Sequence, residues 1–216
     1  MNKILILGGY GNFGKRIAAA LVAKNLHVII AGRNQQKADT LVSSLGNLAT
    51  AACFDVHTDL DKQLQKLKPS VVINTCGPFQ DAYYSVAENC IANKIHYIDL
   101  ADGREFVSGI SSLNDQAKAQ NVSVISGAST VPGLSSAVLE HYKSEFSTIE
   151  CLKYGISPGQ KAERGLATTK GIMSYVGKPL KPFASLTTRP HGWQASIPPN
   201  RRSNCSFSSS PSIFCP

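Results

Sequence analysis

The sequence predicts a doubly wound α/β fold on a parallel sheet, followed by an incomplete second α+β domain and a disordered C-terminal tail. Three observations predict it. Short apolar runs alternate with helical patterns about every 20–30 residues. The first run leads directly into a glycine-rich turn that opens a helix. Several runs are apolar throughout rather than alternating, as in strands covered on both faces.

The elements follow in order. KILIL (3–7) is a strand bounded by glycines. GGYGNFG then precedes KRIAAALVAK, whose Ile17, Ala20, Leu21 and Lys24 keep helical spacing. HVIIAG (27–32) is a second strand, and Asn34 is the N-cap of a helix through QQKADTLVSSL that closes near Gly46. ATAACFD (49–55) is a third strand, TDLDKQLQKL (58–67) a helix and SVVINT (70–75) a fourth strand. A helix over 82–93 presents Val86, Cys90 and Ile91 on one face. HYIDLA (96–101), a helix through EFVSGISSLNDQAKAQ, and VSVISGA (122–128) complete six strands. Each intervening segment is long enough for the crossover that parallel neighbours need. Beyond residue 130 the rhythm changes to a helix over LSSAVLEHYKSE, an alternating strand at 148–157 and a helix at 165–177. From 184 onward no period survives among eight serines and five prolines, and disorder is expected. The domains expected are therefore 1–130 for the dinucleotide, 131–183 for part of a substrate domain, and 184–216 as the tail.

Composition narrows the class. The chain has 216 residues, 43 % hydrophobic and 17 % charged, which excludes global disorder. No apolar run reaches the roughly 18 residues of a membrane-spanning helix, and the N-terminus lacks the form of a secretory signal. A soluble cytoplasmic protein without a membrane partner is expected. The six cysteines (Cys53, Cys76, Cys90, Cys151, Cys205, Cys215) have no zinc-site spacing, and most of them read as small apolar residues. The net charge of +8 is uneven: seven of the 22 basic residues and none of the 14 acidic ones follow Glu163, so the preceding body is almost neutral. Basic and aromatic residues do not interleave on a predictable face, which argues against a nucleic-acid partner.

The turn Gly9-Tyr10-Gly11-Asn12-Phe13-Gly14, with Gly8 before it, follows a strand and opens a helix, the context a dinucleotide fingerprint requires. Its glycines permit a tight turn, close backbone approach to a pyrophosphate and close helix–strand packing. The helix N-terminus adds unpaired N–H groups and a positive dipole end. NAD sites place Asp or Glu at the end of the second strand; here Arg33 follows Gly32, a residue suited to a 2′-phosphate. NADP is therefore the expected cofactor, with NAD second. Lys15 and Arg16 are expected to face solvent on the first helix. Asp55, ending the third strand, either contacts adenine or caps its loop. Asn74, Thr75, Cys76, Gly77 and Pro78 end the fourth strand on the ligand side; the alternative is a plain strand-ending turn. Asp99 and Asp102 are candidates to hold a substrate amine or relay a proton, or else cap the turn that follows. Ser129, Thr130 and Pro132 either line the substrate mouth or cap a helix. Cys76 shows no sign of a lowered thiol pKa, and His141 is a surface helix residue. No hydrolase or kinase motif is present.

GGYGNFGKRIA, INTCGPFQ, YIDLADG, GASTVPGLS and GISPGQKAERGLATTKGIMSYVGKP together resemble the saccharopine dehydrogenase-like oxidoreductases over about residues 3–180. The resemblance implies a Rossmann domain with Gly8, Gly11 and Gly14 at the pyrophosphate, Arg33 at the adenosine ribose and residues 74–79 beside the nicotinamide ribose. It further implies hydride transfer to or from an imine or carbonyl of an amino-acid-derived small molecule. Since the resemblance stops near Pro179, a truncated or frame-shifted product with an uncovered edge is expected. A non-catalytic dinucleotide-binding protein is the alternative. The sequence leaves the oligomeric state open, a homo-oligomer included.

Overall fold

The computed structural model describes residues 3–79, 82–149, 161, 163, 165–173 and 176–177. Arg164, Cys151, Cys205, Cys215 and the tail at 184–216 lie outside the described residues, as does the expected strand at 148–157 apart from its first two residues.

Six strands form one parallel sheet: β1 (Lys3–Leu7), β2 (His27–Gly32), β3 (Ala49–Cys53), β4 (Val71–Asn74), β5 (His96–Asp99) and β6 (Val124–Ile125), in the order β3-β2-β1-β4-β5-β6. This is the doubly wound order, and it reverses direction between β1 and β4. The helices are α1 (Asn12–Val22), α2 (Gln35–Leu45), α3 (Leu60–Leu67), α4 (Ser85–Ala92), α5 (Arg104–Gly109), α6 (Asn114–Ala119), α7 (Ser135–Tyr142) and α8 (Leu166–Met173).

The unbroken apolar runs have a direct explanation. Successive side chains of a strand point to opposite faces, and both faces of β1 and β2 are covered. Leu5, Leu7, Ile29 and Ala31 belong to one core with Leu60 and Leu64 of α3, Ala87, Cys90 and Ile91 of α4, and Ala117 of α6. Ile6, Val28 and Ile30 belong to the other, with Ala18 of α1 and Ala38 of α2. Leu5, Ile6 and Leu7 are completely buried, so β1 is the axis of both cores.

Four strands stop earlier than their sequence pattern predicts. Asn74 Oδ1 accepts from the Cys76 N–H at 3.0 Å, Asp99 Oδ1 from the Ala101 N–H at 2.9 Å, and Asp55 Oδ1 from the His57 N–H at 2.9 Å. Each side chain captures the N–H two residues on, a local turn that competes with the sheet ladder. β6 ends after Ile125 because the Ser126 hydroxyl and Gly127 N–H turn instead to Asp99 Oδ1, at 2.9 and 3.0 Å.

The single helix expected over 105–120 is three pieces, with a 3₁₀ turn at Ile110–Leu113 between α5 and α6. The break falls at Gly109, a weak helix former. There the Tyr84 hydroxyl occupies the place of a side chain and donates to the Phe106 carbonyl at 2.8 Å. α2 has the predicted ends: Asn34 Oδ1 accepts from the Lys37 N–H at 2.9 Å, and Gly46 has φ of +81°.

Leu64 lies 1 % exposed on α3. Its replacement by Ala is expected to cost about 2–5 kcal/mol in urea denaturation. Lys66→Ala, on the exposed side of the same helix, should stay within about 0.5 kcal/mol of wild type.

Candidate functional site

The carboxyl ends of β1 and β4, where the strand order reverses, form the crevice in which ligands of open α/β sheets bind. The lip on the β1 side is the Gly8–Gly14 turn. Gly8 has φ of +71°, and a Cβ there would fall 2.8 Å from Thr75 Oγ1 and 3.1 Å from Cys76 Sγ. The two lips are thus in contact, stitched further by the Thr75 hydroxyl donating to Leu7 O at 2.8 Å. At Gly14 a Cβ would press into the Gly8 carbonyl and sit 2.7 Å from Gly9 Cα, backbone that cannot move aside.

The first four N–H groups of a helix have no intrahelical partner. α1 has no side-chain cap for them: Gly11 at its N-cap offers no side chain, and its first turn carries no acid. The turn itself is braced by Gly9 N–H to Ala31 O at 3.0 Å and Gly11 N–H to Gly8 O at 2.8 Å. A concave backbone surface with a positive helix end results, suited to an anion. Phe13 projects from the first turn, 53 % exposed.

Arg33 and Asp55 stand at the ends of β2 and β3 on the same edge. Arg33 is exposed, and the two charges reach the Cys76 thiol electrostatically. The Cys76 side chain meets solvent at the crevice, yet the protein crowded around its sulfur removes most of its hydration. Desolvation pushes that thiol up to about 11, with Arg33 acting downward and Asp55 upward. Cys76 is thus a protonated thiol at neutral pH. The Gly77–Pro78 peptide that follows is cis.

Asn74 is buried with both ends of its amide engaged: Oδ1 holds the Cys76 N–H, and Nδ2 donates to Tyr97 Oη at 3.2 Å. Burial, reinforced by Asp99, pushes the Tyr97 phenol far above its ordinary range, with the Asn74 hydrogen bond opposing. Asp99 is completely buried. Its Oδ1 accepts from Ala101 N, Ser126 Oγ and Gly127 N, while Oδ2 is buried and has no hydrogen-bond partner among the described residues. Asp102 is exposed in the loop between β5 and α5. Ser129 precedes the turn into α7 and makes no side-chain cap; Thr130 is exposed, Pro132 follows a cis peptide, and His141 is exposed on α7.

Two contacts lie outside the sequence expectations. Lys15, expected simply to face solvent, pairs with Glu163 at 2.8 Å, and Asn12 Nδ2 donates to the Glu163 carbonyl at 2.8 Å. The Lys15 ammonium holds the Glu163 carboxyl below its usual range. These partners stand 148 and 151 positions apart, and no local pattern announces such a pairing. The second is Tyr10, whose hydroxyl accepts from the Asn34 N–H at 3.0 Å while its ring lies on Gly32. The lack of any side chain at Gly32 is its one signal in the sequence. Among the described residues no group of His, Cys, Asp and Glu is placed to hold a metal ion, and no helix is long and apolar enough to cross a membrane.

Fold and crevice together define a dinucleotide-binding domain of the Rossmann class. The family model of the saccharopine dehydrogenase NADP binding domain matches residues 4–129, more than half of the chain, and the chain belongs to that family. NADP is the cofactor of such a domain. Among solved structures the chain is similar to apo saccharopine dehydrogenase (L-Glu forming) from Saccharomyces cerevisiae, at 20 % identity and a TM-score of 0.54, covering 67 % of this chain and 31 % of that one. It is also similar to an NAD binding oxidoreductase from Klebsiella pneumoniae (18 % identity, TM-score 0.47, 67 % and 39 % of the two chains). A third similar structure is serine dehydrogenase from Escherichia coli (16 %, 0.41, 66 % and 91 %). The first of these is a likeness of fold, and the chain spans about a third of that protein's length. No curated protein sequence matches the chain.

Asp99 and Cys76 can each be tested. Asp99→Ala removes the acceptor from two buried N–H groups and a hydroxyl, and should cost about 2–4 kcal/mol in urea denaturation. Alkylation of Cys76, followed by mass spectrometry of its peptide, should be slow at neutral pH and rise about tenfold per pH unit toward about 11. A plateau near pH 8 contradicts the desolvation of this thiol.

Proposed function

We propose that this chain carries the cofactor-binding part of an NADP-dependent oxidoreductase. Its reaction is hydride transfer between the nicotinamide and an imine or carbonyl of an amino-acid-derived substrate. One observation carries the reading: the start of α1, which has no side-chain cap, and its glycine turn, the cation Arg33, and the loop after β4 meet at the strand-order reversal. The residues fit the group. Gly8 and Gly14 leave backbone surface that a Cβ would fill, and no carboxylate stands at the end of β2 to repel a 2′-phosphate.

When bound, NADP supplies or accepts the hydride. In this proposal Gly8, Gly9, Gly11, Asn12, Phe13 and Gly14 offer backbone and helix dipole to the pyrophosphate. Tyr10 shapes the turn toward β2. Arg33 makes a charge-assisted bond to the 2′-phosphate, and Asp55 lies toward the adenine. Thr75, Cys76, Gly77 and Pro78 form the wall toward the nicotinamide ribose, and Asn74 fixes that wall from behind. Asp102, exposed at the same edge, is the carboxylate to which a substrate amine has access. Asp99 acts through the backbone that it anchors at Ala101, one residue before Asp102. A thiol held protonated at Cys76 is an unreactive neighbour for a bound carbonyl or imine.

Residues 1–130 would form the dinucleotide domain and 131–183 the start of a substrate domain. A reducing, cytoplasmic setting is in keeping with the free thiols of Cys53, Cys76 and Cys90.

Titration with NADPH and NADH, and turnover with a panel of oxo acids plus amino acids, test the two halves of the proposal. Binding without turnover across the panel overturns the catalytic half for this chain. Arg33→Ala is expected to weaken NADPH about 10- to 100-fold and to leave NADH within about twofold. Equal NADPH affinity in both proteins removes Arg33 from the site.

A further inference from the structure

We propose that Tyr10 is the residue that sets the preference of this crevice for a 2′-phosphorylated over an unphosphorylated ribose. It does so by sealing the end of β2 and anchoring the backbone on either side of Arg33. The inference rests on the reading of Arg33 as the phosphate ligand and extends it to a residue that touches no phosphate.

Gly32 is the last residue of β2. A Cβ there would lie 2.6 Å from both Cζ and Oη of Tyr10, so the ring rests directly on the Gly32 α-carbon. Dinucleotide sites that read a free 2′-hydroxyl do so with an Asp or Glu at the end of this strand. Here the aromatic ring stands where a side chain at the strand end would leave the backbone. Tyr10 also packs against the core shared by α1, α2 and the sheet, which fixes the ring from beneath.

The hydroxyl does a second thing. It accepts from the Asn34 N–H at 3.0 Å, and Asn34 in turn caps α2 by accepting from the Lys37 N–H at 2.9 Å. Arg33 therefore stands between a residue pinned by the tyrosine ring and one pinned by the tyrosine hydroxyl. A guanidinium contributes most to binding when its backbone is already ordered, because less conformational freedom is lost on contact. The glycine turn and the 2′-phosphate determinant are thereby one unit, joined through a side chain of the turn itself. Tyr10 is a positioning residue in this account, and a selectivity ratio measures it.

The test is titration of NADPH and NADH, by cofactor fluorescence, against wild type, Tyr10→Phe, Gly32→Ala and Arg33→Ala. Tyr10→Phe keeps the ring and deletes the bond to Asn34. It should weaken NADPH about 3- to 10-fold with NADH unchanged within about twofold and an unaltered circular dichroism spectrum. Gly32→Ala pushes the ring from the opposite side and should lower the same ratio. Equal losses for both cofactors, or no loss for either, in Tyr10→Phe and Gly32→Ala overturn the role of Tyr10. If Arg33→Ala abolishes the NADPH preference while the other two variants keep it, only the Tyr10 inference fails. A wild-type protein without NADPH preference, or one whose preference survives Arg33→Ala, overturns the underlying reading and this inference with it.

Discussion

The structure depends on a close backbone approach that leaves no room for a side chain at Gly14. The Gly8 carbonyl and the Gly9 α-carbon occupy the space where a Cβ would stand. That contact brings the start of α1 against the end of β1, and everything on this edge takes its place from it. Ala18, one turn further, is completely buried against β1 and β2 for the same reason. A bulkier residue would tilt the helix and withdraw its N–H groups from the crevice. The positive end of α1 is thus placed by packing rather than by any attraction at the site, and it is already in place when a ligand arrives.

The opposite lip is built by another device. Asn74 and Asp99 each end a strand by taking the N–H two residues on, and Asp55 does the same just beyond β3. A strand that continued would carry the ladder across the crevice mouth. A short polar side chain at its carboxyl end stops it and turns the chain aside. Such residues therefore serve two ends that sequence reading cannot separate: a carboxylate or amide on the ligand side of a sheet looks like a ligand group, and it is also what terminates the strand.

The same distinction between local and distant causes decides which parts are legible in the sequence. The apolar runs from Leu5 to Leu7 and from Val28 to Ala31 are readable because both sheet faces are covered, so burial leaves its mark on every position. The cap at Asn34 and the stop at Gly46 are readable because they act within four residues. Strand-like pattern runs on through Phe54, Thr75, Leu100 and Ser126, each just beyond the last ladder residue, so the sequence makes these four strands too long. The broken helix at Gly109 needs Tyr84 from another element, and the contact of Lys15 with Glu163 spans 148 positions. Chemistry that depends on two distant segments leaves no periodic trace in either.

Asp99 joins these themes at an energetic cost. A buried carboxylate is expensive unless hydrogen bonds compensate it. Here Oδ1 receives three donors, two from the backbone, while Oδ2 has none among the described residues. Tyr97, two residues earlier and therefore on the same face of β5, stays protonated beside it. The arrangement ties the loop after β5 and the loop after β6 to one oxygen atom. Ala101 and Gly127 cannot separate without leaving a buried donor unpaired, so the two loops form one rigid wall. That wall adjoins Asp102 on one side and Ser129 on the other. A side chain with no exposure at all thereby determines the spacing of the exposed groups that flank it, which is how an inaccessible acid influences a site without entering it.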